Sequence, residues 1–124
     1  MGTVMQRFVL AAAFMLGLSS ANAQTSKIDN THDLYEACQN DASPTRSLCA
    51  GYIMGVGDMM FGLGLVYKLK PDAAVLLPFA ICGELNHAAM AQAFVNWAKA
   101  NPQKWSDDKL FGVMSALSEN WPCK

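Results

Sequence analysis

The chain has 124 residues, 52% of them hydrophobic and 15% charged, with nine Lys and Arg against ten Asp and Glu. A formal net charge of −1 gives no electrostatic footing for nucleic acid or an anionic lipid surface. The length suits one small domain, whose core alone supplies only modest stability.

The N-terminus carries a single cation, Arg7, then an apolar run from Phe8 to Leu18, then Ala21-Asn22-Ala23. The run is too short to span a bilayer, and the small residues form a cleavage site, so residues 1–23 read as a signal peptide cut after Ala23. Loss of Arg7 leaves a net charge of about −2 on an exported domain over residues 24–124, with no membrane insertion after the cut. Cys38, Cys49, Cys82 and Cys123 all lie in that part. An even number in an exported chain reads as two disulfides with three possible pairings. The absence of any C-x-x-C argues against both a zinc site and a thioredoxin-like centre.

The first predicted helix runs from Asn30 to Gln39, with Asn30 as cap, Asp33 in the first turn, and Leu34, Ala37 and Cys38 on one face. "NDASPTR" breaks the chain, and Ser43-Pro44 reads as a cap followed by a first-turn proline. The second helix is "SLCAGYIMGVGDMMFGLGLVYK", Ser47 to Lys68. One apolar stripe holds Leu48, Tyr52, Met59, Leu63 and Val66; the next holds Cys49, Ile53, Val56, Met60 and Tyr67. Gly51, Gly55, Asp58 and Gly62 form a third line, expected with Tyr52 to pack closely against another helix. Each mid-helix glycine costs about 1 kcal/mol, and a close approach would explain the line. Leu48–Tyr67 is long enough for a membrane span, but Asp58 would cost about 3 kcal/mol at a bilayer centre.

"KLKPDAAVLLPF" is a connector punctuated by Pro71 and Pro78. The third helix is predicted over Cys82–Ala100, with Leu85, Ala88 and Val95 on one face and Met90, Phe94 and Trp97 nearly opposite, the latter free for a partner. Ser106 caps a fourth helix with Asp107 and Asp108 in its first turn and Leu110, Met114, Leu117 and Trp121 as its buried stripe. The fold class is all-α, a small bundle of about four helices. This layout favours Cys38–Cys49 across a helical hairpin and Cys82–Cys123 across an antiparallel return, while spacing alone leaves the other pairings open.

Little in the chain points to catalysis. Glu84 and His87 supply only two metal ligands, the methionines fall at core spacing, and the serines read as caps or loop residues. No cofactor and no metal is expected, and a binding protein is favoured over an enzyme. Two surfaces suit a partner: Met90, Phe94 and Trp97, and the loop "NPQKWSDDK" with Lys104, Trp105 and Asp107. Trp105 reads equally well as a loop anchor or as a ring tucked onto helix four.

"DLYEACQ", "SLCAGYIMGVGD", Gln92 on a helix after a third cysteine, "NPQKW" and the closing "WPC" together resemble the Tai family. These are type VI amidase immunity proteins, also described as resistance-associated periplasmic proteins. The resemblance implies a periplasmic, all-helical homodimer that binds a secreted peptidoglycan amidase toxin and occludes its cleft. The competing expectation from compartment, size and the second face of helix three is a small helical periplasmic stress chaperone.

Overall fold

A computed structural model describes residues 27–124; the expected signal peptide lies outside them. The described part is all-α. Its elements are α1 (Thr31–Gln39), α2 (Ser43–Leu69), a 3₁₀ segment (Pro71–Leu76), α3 (His87–Ala100), a 3₁₀ turn (Pro102–Lys104) and α4 (Lys109–Asn120). Two disulfides tie it, Cys38–Cys49 and Cys82–Cys123, and no described cysteine is free.

The start of α1 is fixed by a reciprocal cap. The Asn30 side chain accepts from the Asp33 N–H at 2.9 Å, while the Asp33 carboxylate accepts from the Asn30 and Asp29 N–H groups. Such a cap contributes about 1 kcal/mol. Nine residues are too few to hold a helix in water. α1 persists because Leu34 and Ala37 are buried and Cys38 is bonded to Cys49 of α2.

Ser43 is the first residue of α2 rather than its cap; Ala42 holds the cap position and makes no side-chain bond. The turn is closed instead by Asn40, which accepts from the Ala42 N–H at 2.7 Å, and by the Arg46–Asp41 pair at 2.9 Å. Of the two apolar stripes on α2, Cys49, Ile53, Val56 and Met60 enter the core, while Leu48, Met59 and Val66 stay largely exposed. Gly51, Gly55 and Gly62 are exposed, with no atom within 4 Å of where a side chain would begin. Asp58 on the same line is exposed and Tyr52 is half-buried, so no other helix of the same chain packs closely along this line. The contact glycines are on the opposite side. A Cβ at Gly64 would collide with the Ile81 carbonyl, and one at Gly57 would press on the Met90 sulfur. By length and composition α2 could cross a membrane, but its core-facing side is packed by the other helices.

After the 3₁₀ segment and a turn at Pro78-Phe79 the chain passes back across α2 at Ile81. Ile81 is buried, its N–H donates to the Met60 carbonyl at 3.2 Å, and it bridges Pro122. The Cys82 N–H donates to the Trp121 carbonyl at 3.0 Å. Because Cys82 is drawn into this bridge and Gly83 takes φ +120°, α3 cannot begin at Cys82. It begins at His87, capped by Asn86, which accepts from the Ala89 N–H at 3.0 Å.

Met90, Phe94 and Trp97 correct a second expectation. They are 1%, 0% and 8% exposed and belong to the core, whereas Ala88 is exposed and Val95 half-buried. α3 packs against α1, α2 and α4, so its bulky side is consumed by the bundle and its small side faces water. The chaperone expectation loses its motivating surface. α4 begins after Asp108, not Ser106, with the Asp108 carboxylate accepting from the Leu110 N–H at 2.8 Å. It buries Gly112, Val113, Ala116 and Leu117, while Leu110 is 40% exposed and Met114 and Trp121 are half-buried.

Gly64→Ala is expected to cost about 2–3 kcal/mol, because the obstacle is backbone that cannot rotate away. Urea unfolding of the variant measures it. Replacing Cys82 and Cys123 by serine is expected to cost about 4 kcal/mol, against about 3 kcal/mol for the shorter Cys38–Cys49 loop, read from the same unfolding curves.

Candidate partner-binding site

The loop between α3 and α4 is built onto the start of α1. Helix α1 would leave its first N–H groups without partners. The Thr31 N–H donates to the Asp107 carbonyl at 2.9 Å and the His32 N–H to the Trp105 carbonyl at 3.1 Å. The Thr31 hydroxyl lies within hydrogen-bonding distance of the Asp107 and Asp108 carbonyls, at 3.1 and 3.2 Å. Thr31 is fully buried and sits on Gly112, where a Cβ would strike its side chain. No pattern in the sequence singled out Thr31, because its role depends on a contact 76 residues away.

Trp105 is half-buried and locks this loop from beneath. Its indole N–H donates to the Ala98 carbonyl at 2.8 Å, near the end of α3. Its ring lies 4.3 Å from His32 and 5.8 Å from Tyr35, centroid to centroid. The ring therefore tucks onto α1 and α3, not onto the fourth helix. Above it, Pro102, Gln103 and Lys104 are exposed on a 3₁₀ turn, and the Lys104 ammonium stands 3.5 Å from the Asp107 carboxylate. The structure thus brings Lys104, Trp105 and Asp107 together and leaves Met90, Phe94 and Trp97 apart from them in the core.

A second apolar area lies on the outside of α2, where Leu48, Met59, Leu65 and Val66 are each more than 40% exposed. Beside it Asp58 pairs with His87 at 3.1 Å. His87 is thus engaged by Asp58, from α2, and not by Glu84 of its own segment. Among the described residues no three His, Cys, Asp or Glu side chains converge as a metal site. A cavity of about 160 Å³ opens between α1 and the start of α2, lined by Lys27, Ile28, Asp33, Glu36, Ala37, Asn40 and Thr45. Its one cation, Lys27, is bonded to Asp29, which raises its pKa, and Asp33 is occupied by the cap. Burial, then the nearby Asp108 carboxylate, pushes the Tyr52 phenol up from its ordinary value, with the Lys109 ammonium 5.8 Å from its ring.

A disulfide-tied helical body with a braced loop and an uncovered apolar helix face has the character of a binding protein. The chain matches the family described as Rap1a immunity proteins over residues 30–123, which takes in all four helices and both disulfides. It belongs to that immunity-protein family, and membership implies binding of a toxin effector. No curated protein and no solved structure matches the chain.

Trp105→Ala removes the indole bond and the stack on His32 and Tyr35, and is expected to cost about 2–4 kcal/mol by thermal or urea unfolding. Trp105→Phe, which keeps a ring but no N–H, is expected to lose about 1 kcal/mol.

Proposed function

We propose that this chain is a periplasmic immunity protein that binds a type VI secreted peptidoglycan amidase and covers its active-site cleft, acting as a homodimer. The carrying observation is the family match, which spans the whole disulfide-tied body. Two disulfides fit an oxidising compartment, and the periplasm is where a wall-cutting enzyme must be met.

The turn at Pro102–Lys104 fits the task. Binding loses free energy to every loop that must be ordered, and a loop already held by Trp105 and the α1 N–H groups loses less. Lys104 is the contacting group, while Trp105 and Asp107 hold it in place. A cation fixed by a neighbouring carboxylate contributes to partner choice as well as affinity.

The test is to mix the purified protein with candidate peptidoglycan amidases and follow both complex formation and wall hydrolysis. A stable complex with loss of hydrolysis is expected for the cognate enzyme. Lys104→Glu is expected to weaken inhibition about tenfold or more with the unfolding midpoint unchanged. Absence of binding to every such enzyme, including one encoded beside this chain, would refute the reading.

A further inference from the structure

The two disulfides follow the order of the chain. Cys38 takes Cys49 and Cys82 takes Cys123, so the first cysteine pairs with the second and the third with the fourth. The closed loops span 11 and 41 residues and lie end to end, neither nested nor interlaced. Each of the other two pairings would nest or interlace them.

Two physical effects favour the observed bonds. An unfolded chain closes a loop with a probability that falls as the three-halves power of its length, so Cys49 meets Cys38 roughly fivefold more often than it meets Cys82. Order of appearance acts in the same direction. A chain exported behind an N-terminal leader presents Cys38 and Cys49 first, and Cys82 follows only after 33 more residues. The turn between the first two is held by contacts inside its own loop, Asn40 to the Ala42 N–H and Asp41 to Arg46. None of these waits for the rest of the chain. Cys82 then appears with both earlier thiols already used. In the finished fold Cys49 is 3% exposed, which keeps later thiols from attacking its bond.

We infer that this protein matures by two successive dithiol oxidations, Cys38–Cys49 and then Cys82–Cys123, driven by a protein disulfide oxidant and with no isomerisation step between them. In each, one cysteine thiolate attacks the oxidant's disulfide, forming a mixed disulfide and expelling an oxidant thiolate. The partner thiolate attacks the chain's own sulfur in that mixed disulfide, closing the native bond and expelling the second oxidant thiolate. Two electrons pass from the chain to the oxidant, and the two thiol protons end on its dithiol. The inference rests on the periplasmic part of the proposed function and not on the identity of the toxin.

The test follows the full chain, leader included, through export in Gram-negative cells. Newly made chains are trapped at intervals with a thiol-blocking maleimide, and their bonds are mapped by peptide mass. An early species with Cys38–Cys49 closed and Cys82 and Cys123 free is expected. The final yield of native bonds is expected to be the same with and without the periplasmic disulfide isomerase, and to fall at least about tenfold without the periplasmic disulfide oxidant. An early bond from Cys38 or Cys49 to Cys82, a yield that depends on the isomerase, or a yield indifferent to the oxidant overturns the inference.

Cys49→Ser separates order of appearance from loop length. It leaves Cys38 unpaired until Cys82 emerges, and the spans Cys38–Cys82 and Cys82–Cys123 are nearly equal, at 44 and 41 residues. The non-native Cys38–Cys82 bond is expected first, with Cys82–Cys123 recovered only where the isomerase is present. The early bond is read in newly exported chains, so this outcome does not require the variant to fold. Direct formation of Cys82–Cys123 in Cys49→Ser overturns the inference. Retention of the unmodified chain in the cytoplasm with four thiols overturns it together with the periplasmic reading. An exported chain bonded in the expected order that inhibits no amidase supports the inference and removes only the inhibitor reading.

Discussion

The passage of Ile81 over Gly64 is the contact on which the rest of the arrangement depends. Helix α2 is too long for the bundle to cover, and beyond Met60 its outward residues Leu65, Val66 and Leu69 are exposed. The extended segment around Ile81 lies directly on the bare backbone at Gly64 and gives its N–H to the Met60 carbonyl. The same segment bridges Pro122, and its next residue, Cys82, is bonded to Cys123. One crossing therefore fixes the second half of α2, the entrance to α3 and the end of α4. A domain with a limited core gains from such a covalent constraint, because it restricts the unfolded chain more than it adds native contacts.

The parts of this fold that were legible in the sequence are those set by local periodicity. Cys49, Ile53, Val56 and Met60 recur at helical spacing and are buried, and the layout of the helices led to both disulfide pairings. What stayed illegible depends on neighbours. Gly51, Gly55 and Gly62 share a line just as Gly57 and Gly64 do, and only the position of Met90 and Ile81 decides which line is in contact. From sequence alone Met90, Phe94 and Trp97 form a spare surface, because a helix amphipathic on two sides invites a second partner. In the bundle three helices close around α3, and the bulky side is wholly used.

Caps failed for a related reason. Ser43 and Ser106 are good capping residues by type, yet a cap needs an extended backbone with its side chain aimed at the helix, and distant contacts govern that. The carbonyls of Trp105 and Asp107 are committed to the start of α1, so the chain reaches helical geometry only after Asp108. The candidate site was half visible. Lys104, Trp105 and Asp107 stood out as an aromatic among polar neighbours, but Thr31 and His32, which hold that loop, carry no signal in their own surroundings.

The turn at Pro102–Lys104 is anchored on α1 and α3, whereas the outer face of α2 is turned away from the core those helices share. On the proposed inhibitor reading the turn meets the enzyme already ordered, held by the Trp105 indole bond and by the first two α1 N–H groups, so little free energy is lost to fixing it on contact. That is why the bracing residues, Thr31, His32 and Trp105, matter to binding without touching the partner: they act on what the loop loses, and Lys104 acts on what it gains.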